Sequence, residues 1–257
     1  MQDNNDKRLV IIPTYNEIEN IRAISEAVMA LEVTFDLLVV DDNSPDGTAD
    51  EVFKLIKEYP NRIFILQRKG KQGLGTAYLA GFKWALEHQY DYVLEMDADF
   101  SHNPNDLPRL YNTCALEGAD VAIGSRYVKG VNVVNWPLGR VLMSYFASKY
   151  VRCVTRMKIN DATAGFVCYR SEVLRTIDLD KIHFKGYAFQ IEMKYTASLC
   201  GFKLKEVPIV FVNRVLGESK MSGSIFGEAF FGVLKLRWWG LTQKYPQKPL
   251  AIEEHSK

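Results

Sequence analysis

From Leu9 to Gly124 the chain alternates short, unbroken apolar runs with longer stretches of helical period. Leu9-Val10-Ile11-Ile12, Leu37-Leu38-Val39-Val40, Ile63-Phe64-Ile65-Leu66 and Val121-Ala122-Ile123-Gly124 each predict a strand, as does the apolar run from Tyr92. Between them, Ile21, Ile24, Val28 and Leu31 recur at helical spacing, which predicts a helix from about Ile18 to Leu31. Further helices are predicted from Thr48 to about Tyr59 and from about Thr76 to His88. Fully apolar strands alternating with helices specify an α/β fold: a buried, mostly parallel, doubly wound sheet with right-handed crossovers and helices on both faces. Ligands of such sheets bind beyond the carboxyl ends of the strands.

The second half has a different pattern. A loop over Arg126–Asn132 precedes a predicted helix from Leu138 to Thr155 that mixes apolar residues with Arg140, Lys149 and Arg152. That mixture suits either a core helix with its bases outermost or a basic amphipathic helix lying on a membrane. A strand from Ala164 to Tyr169 and a helix from Gln190 to Leu199 follow. The run Leu204 to Val212 is interrupted by Pro208, which places it at a sheet edge. Phe226 to Trp239 predicts an apolar helix with an aromatic and basic end, too short and too charged to span a bilayer. The expected organisation is one domain over 1–242, with a first half over 8–125 and a second over 126–242. A polar, disordered tail is expected from Gln243.

Composition narrows the function little. The chain has 47% hydrophobic and 25% charged residues, the balance of an ordinary globular protein. A net charge of +1 gives no global attraction to nucleic acid, so any basic patch must be local. Cys114, Cys153, Cys168 and Cys200 are widely spaced without a C-x-x-C pair, which argues for reduced thiols rather than a zinc site or disulfides. No signal peptide is recognisable in MQDNNDKR and no run of about 18 apolar residues occurs, so a cytoplasmic protein is expected.

The candidate chemistry lies where predicted strands end. Asp97 and Asp99 follow the strand from Tyr92, and if the extended backbone continues, alternate side chains converge on one spot. Two adjacent carboxylates repel unless a cation or a proton sits between them, and Mg²⁺ commonly takes one or two carboxylates together with substrate phosphates. The competing reading is an acidic strand end that caps the helix after Pro104. Pro13 to Glu17, Asp41-Asp42 and the basic, glycine-rich loop Arg68 to Gly75 occupy the other strand ends, which favours a bound diphosphate. Either Asp41 or Asp46 is expected to cap the helix near Thr48.

PTYNE after the first strand, VVDDNSPDGT after the second and MDADFSH after the fourth resemble the inverting GT-A glycosyltransferases of family 2. GSRY at Gly124, GYAFQIEM at Gly186 and VPIVFVNRVLGESKMSG at Val207 narrow the resemblance to the dolichyl-phosphate (polyprenyl-phosphate) mannose synthases, over about Leu9 to Leu236. This resemblance implies transfer of mannose from GDP-mannose to a polyprenyl or dolichyl phosphate with inversion, using Mg²⁺ or Mn²⁺. It assigns Pro13, Tyr15, Glu17, Val40 and Asp42 to the nucleotide, and the Asp97-Ala98-Asp99 segment to the metal and diphosphate. Ser101 falls near the metal. Arg126, Arg140 and Ser144 match acceptor-phosphate contacts, and Arg126 joins Asp97 and Asp99 as a catalytic candidate. Arg214 and Lys220 match a donor-side loop, and Asp161 and Gln190 fall where sugar contacts are expected.

A phosphate acceptor has a second pKa of about 6 and is already charged at neutral pH, so it needs no strong general base. The scattered His88, His102, His183 and His255 accordingly read as structural or surface residues. The implied location is the cytoplasmic face of a membrane, reached peripherally through either amphipathic helix or a separate anchoring subunit, with no nucleic-acid partner. A transferase using another donor such as UDP-glucose stays open. A phospho-accepting receiver domain fits poorly, because its acidic pair follows the first strand. A non-catalytic nucleotide-sugar-binding subunit finds no support in the intact set of motif residues.

Overall fold

The computed structural model describes residues 6–186, 188–213 and 225–249, with side chains in the last segment from residue 230 onward. Nine strands are described: β1 (Arg8–Thr14), β2 (Asp36–Asp41), β3 (Ile63–Gln67), β4 (Tyr92–Glu95), β5 (Val121–Ser125), β6 (Val133–Val134), β7 (Val167–Arg170), β8 (Leu204–Pro208) and β9 (Phe211–Val212). The first four α-helices are α1 (Ile21–Met29), α2 (Thr48–Glu58), α3 (Leu74–Glu87) and α4 (Leu107–Ala115). The remaining four are α5 (Leu138–Thr155), α6 (Ser171–Thr176), α7 (Ala188–Leu199) and α8 (Ile225–Thr242).

Seven strands form one sheet in the order β3-β2-β1-β4-β7-β5-β8. Every neighbouring pair is parallel except the two made by β7, which runs antiparallel to β4 and β5. Side chains alternate across β1 and β2, so each strand feeds two cores. Leu9, Ile11, Leu38 and Val40 join Tyr78, Phe82 and Phe189 from α3 and α7 on one face. Val10, Ile12, Leu37 and Val39 join Ile24, Val52 and Leu110 from α1, α2 and α4 on the other. Gly81 lets α3 settle on β1, since a Cβ there would stand 2.8 Å from the Ile11 side chain. The α/β architecture with helices on both faces agrees with the expectation, and α5 has the expected bounds.

Three details differ from the sequence reading. β4 stops at Glu95, so Asp97 and Asp99 lie in a loop and not on an extended strand. Beyond Pro208, which ends the edge strand β8, the chain leaves the main sheet and β9 pairs with β6 in a two-stranded parallel ribbon. The segment 243–249, expected to be a disordered tail, is docked. Tyr245 packs against the first core, the Lys248 N–H donates to the Cys200 carbonyl at 2.8 Å, and Lys248 Nζ lies 2.7 Å from Asp120 Oδ1.

Candidate active site

The carboxyl ends of β1 to β5 share one rim of the sheet, and the turns leaving them build the site. The first two turns are stitched into one wall. Asn16 N donates to Ser44 Oγ at 3.0 Å, Glu17 N to Thr48 Oγ1 at 3.0 Å, and Ile18 N to Asp46 Oδ2 at 3.1 Å. Asp41, fully buried, accepts from Thr14 Oγ1 and from the Ser44 amide and hydroxyl. Asp46, one of the two acids expected at the start of α2, accepts from the Thr48 amide at 3.0 Å. Pro13, Tyr15 and Glu17 are half-buried along this wall, and Lys71 Nζ lies 5.1 Å from the Tyr15 ring centroid.

Val40 and Asp42, both expected near the nucleotide, have protein surroundings of their own. The Val40 side chain is fully buried in the first core. Asp42 is gripped by Arg68 through two hydrogen bonds, Nε to Oδ1 at 2.5 Å and Nη2 to Oδ2 at 2.8 Å, while Arg68 Nη1 donates to Thr76 Oγ1. Such a fork fixes the carboxylate's plane. Asp42 therefore presents itself to a ligand as part of an ion pair. The sequence reading singled out the loop from Arg68 to Gly75, but not the pairing of Arg68 with Asp42.

The acid loop is held from its own interior. Asp97 is the more open acid, with its side chain 38% exposed, whereas Asp99 is buried and accepts the Ser101 amide at 3.0 Å. Ala98 is buried in the second core, and Ser101 is buried with its carbonyl accepting the Val212 amide of β9 at 3.2 Å. Neither acid caps the helix beyond Pro104; Asn103 does, accepting from the Asn105 amide. His102, expected to be structural or at the surface, packs inside the loop. Its Nδ1 accepts the Asp97 amide at 3.3 Å, and its ring stacks on Phe166 at 4.8 Å. Burial pushes this imidazole down to about 4, so at neutral pH it is uncharged and no general base. Among the described residues no three His, Cys, Asp or Glu side chains form a cation cage. A hard cation that takes its remaining oxygens from a diphosphate needs only one or two carboxylates, and the donor chemistry of Asp97 and Asp99 fits that requirement.

Behind this loop, Glu95 and α7 share a buried polar network. Gln190 Nε2 donates to Glu95 Oε2 at 2.9 Å, and Lys194 Nζ donates to Gln190 Oε1 at 3.1 Å and to the Ala164 carbonyl at 2.6 Å. Glu95 Oε1 has no protein partner. Burial lifts the Glu95 carboxyl to about 8 and lowers the Lys194 ammonium to about 8. Each end of the Gln190 amide, expected to meet the sugar, thus has one partner inside the protein.

The acceptor half supplies the cations. Arg126, buried, forms a fork with the fully buried Asp161, Nε to Oδ2 and Nη2 to Oδ1 both at 2.7 Å, and its amide also donates to Oδ2 at 3.0 Å. Burial alone disfavours the Asp161 charge, but the charge and hydrogen bonds of Arg126 outweigh it and hold this carboxyl below the usual range. Asp161, expected near the sugar, is here the anchor of Arg126. Arg126, expected to meet the acceptor phosphate directly, instead has its Nε–Nη2 edge spent on that anchor. Its guanidinium carbon lies 5.6 Å from the Trp136 ring and 5.7 Å from that of Phe211. Arg140, in the first turn of α5, stacks on Trp136 at 4.1 Å, and its Nη1 donates to Asn213 Oδ1 at 3.0 Å. One helical turn on, the buried Ser144 Oγ has no hydrogen-bond partner, and neither has Trp136 Nε1. Arg140 and these unpartnered donors are groups suited to an anion.

β9 joins the two sides. Val212 bonds the acid loop, Phe211 N–H donates to the Asn132 carbonyl at 3.0 Å, and Asn213 bonds Arg140. Phe211 also meets the His102 ring edge-on at 5.3 Å and that of Trp136 at 5.3 Å. Arg214 and Lys220, assigned to the donor side, lie outside the described residues. Trp136 and Asn213 were not singled out from sequence, and the partners of Arg68 and His102 were not legible there. A lone His after an acid pair or a lone Trp before a helix gives no signal until the fold brings its partners together.

Comparison with known proteins agrees with this arrangement. The profile of Glycosyl transferase family 2 matches residues 9–178. An undecaprenyl-phosphate mannosyltransferase of Micrococcus luteus is 48% identical over 92% of the chain and 95% of its own length. A polyprenol monophosphomannose synthase of Mycolicibacterium smegmatis is 48% identical over 91% of the chain and 87% of its own. Among solved structures, glucosyl-3-phosphoglycerate synthase of Mycobacterium tuberculosis, in complex with Mn²⁺, UDP and glucosyl-3-phosphoglycerate, superposes with a TM-score of 0.66 at 15% identity. That match covers 90% of this chain and 80% of the other, and at such identity it speaks to the fold.

Proposed function

Because the chain belongs to the family 2 glycosyltransferases, we propose that it transfers mannose from GDP-mannose to the phosphate of a polyprenyl phosphate, with inversion at the anomeric carbon, at the cytoplasmic face of a membrane. The observation that carries this reading is the union of an acid loop and a cationic pocket on one rim, tied together by Phe211 to Asn213. The activities of the two relatives support mannose as the sugar and a polyprenyl phosphate as the acceptor.

In this reading the wall of Pro13, Tyr15, Glu17 and the Asp42–Arg68 pair receives the nucleoside. Asp97 and Asp99 would hold a divalent cation, Mg²⁺ or Mn²⁺, whose positive charge offsets that of the diphosphate when bound. Arg140, braced by Trp136 and Asn213, donates to the acceptor phosphate, and the orphaned Ser144 hydroxyl completes the contact. Arg126 positions this pocket through Trp136 and Phe211. The acceptor oxygen attacks the anomeric carbon opposite the departing GDP. That oxygen is already anionic, which agrees with a site whose nearest imidazole, His102, is too weakly basic to take a proton. Catalysis then rests on prearranged charge rather than proton transfer. Incubation with polyprenyl phosphate, Mg²⁺ and a panel of nucleotide sugars, followed by mass analysis, should yield a mannosyl phospholipid from GDP-mannose. Product from UDP-glucose alone, or no glycolipid at all, would sink the assignment.

A further inference from the structure

We propose that the indole N–H of Trp136 is a direct ligand of the acceptor phosphate, a third donor beside Arg140 and Ser144. The inference rests on the polyprenyl-phosphate reading and adds to it a residue that none of the motifs contains. Trp136 stands between two constrained neighbours. Asn135 before it adopts a left-handed φ of 59°, and Pro137 after it holds φ at −58° where α5 begins. The preceding strand is tied to β9: Val133 pairs with Phe211, Val134 with Val212, and the Asn213 amide donates to the Val134 carbonyl at 3.1 Å. The ring is gripped as well. Phe211 meets it edge-on at 5.3 Å, and the guanidinium carbons of Arg140 and Arg126 lie 4.1 and 5.6 Å from its centroid. Arg126 is itself pinned by Asp161. Backbone and side chains thus fix where the indole points.

The one polar atom of this fixed side chain is left over. Nε1 is buried and has no hydrogen-bond partner. An indole N–H can only donate, and a buried donor without an acceptor is costly, so buried tryptophans find one. The polar groups around the ring cannot serve. Arg126 and Arg140 are donors, and Asn213 Oδ1 already accepts from Arg140. Ser144, one helical turn beyond Arg140 on the same side of α5, carries the next unpartnered oxygen. Two unpartnered donors on either side of one guanidinium call for a group with several acceptor oxygens. Two cations against the ring make that group an anion. A phosphate monoester meets both demands. Because indole and guanidinium donate without accepting, the pocket suits phosphate oxygens that carry no proton.

The test observes the indole N–H itself. The chain has 4 tryptophans, Trp84, Trp136, Trp238 and Trp239, whose indole signals can be followed by heteronuclear NMR of the nitrogen-labelled protein. The Trp136 signal, assigned by its loss in Trp136→Phe, should move downfield on titration with a short, water-soluble isoprenyl phosphate. It should stay in place with the matching isoprenyl alcohol, and with GDP and Mg²⁺, which separates acceptor phosphate from donor diphosphate. In transfer assays Trp136→Phe keeps an aromatic ring against Arg140 but loses the donor. The apparent KM for isoprenyl phosphate should rise by about 10- to 100-fold, as for one lost hydrogen bond to a charged group, with that for the nucleotide sugar changed by less than about twofold. If Trp136→Phe folds poorly, Trp84→Phe, Trp238→Phe and Trp239→Phe assign the wild-type signal by elimination, and the wild-type titration decides. A Trp136 signal that ignores isoprenyl phosphate, follows the alcohol equally, or answers GDP and Mg²⁺ alone overturns the proposal. So does an unaltered acceptor KM in a folded Trp136→Phe. A signal that moves with isoprenyl phosphate in a protein that transfers no sugar would keep this ligand and reject the transferase reading instead.

Discussion

The ion pair between Arg126 and Asp161 makes a sharp quantitative prediction. Both side chains are almost wholly buried, 7% and 0% exposed, and are joined by two bonds of 2.7 Å. Asp161→Asn keeps the shape but leaves the Arg126 charge inside the protein without its counter-ion. Breaking a buried pair in this way costs about 3–5 kcal/mol. For a chain of this size that lowers the melting temperature by roughly 6–20 °C. Adding Arg126→Met removes the stranded charge, so the double variant should be more stable than Asp161→Asn alone. Urea denaturation of the four proteins completes the cycle, and a coupling of about 2 kcal/mol or more is expected for charges in contact. The pair also has a pH signature. The Asp161 carboxyl is held below its unfolded value, so its stabilisation is complete above the usual carboxylate range and is lost as pH falls through the folded value. Additive single effects, or a loss under about 1 kcal/mol for Asp161→Asn, would refute the anchoring role.

Four other expectations follow from the site. Asp99→Asn should fold normally and lose turnover by about 10²–10³-fold, the scale of one electrostatic stabiliser; near-normal turnover in a Mg²⁺ titration would rule out its cation role. Arg140→Ala should raise the apparent KM for the lipid phosphate by about 10- to 100-fold and leave that for the nucleotide sugar almost unchanged, as for a lost charged hydrogen bond. Equal effects on both substrates would count against it. His102→Phe keeps the stacking on Phe166 but loses the acceptor for the Asp97 amide, so calorimetry should find Mn²⁺-dependent GDP binding roughly 2- to 10-fold weaker, with metal-free binding unchanged and His102→Asn partly restoring it. Glu95, lifted to about 8 from 4.5, holds its proton longer in the folded state, so stability should fall as pH rises between those values. Glu95→Gln should flatten that decline in urea titrations, and an undiminished slope would assign it to another group.

Much of this architecture could be read from one chain. Hydrophobic period sufficed for the strands of the first half, for α5 to the residue, and for the edge strand ended by Pro208, because strands and helices follow local rules of burial. The rim was legible for the same reason: motifs follow strands, and parallel strands end together. What sequence could not supply was the partner of each polar side chain. Asp97 and Asp99 read as neighbours on a strand, but β4 ends at Glu95 and a loop carries them. Asp161 and Gln190 carried the expected residue types, yet Asp161 turns to Arg126, 35 residues away, and Gln190 to Glu95, 95 residues away.

Those pairings depend on the order of strands. Inserting β7 antiparallel between β4 and β5 brings the chain around Asp161 to Ala164 between the acid loop and α7, and the departure of β9 from the sheet joins Ser101 to Arg140. A buried charge must find its counter-charge, but which one it meets is decided by topology, not by neighbours in the chain. The sequence by itself therefore determined the layers, the rim and the chemical kinds present on it. Tertiary structure decided which acid stays open to a ligand, which is spent as an anchor, and which apolar helix faces stay exposed, because each of these is a matter of burial that only the assembled sheet and helices define.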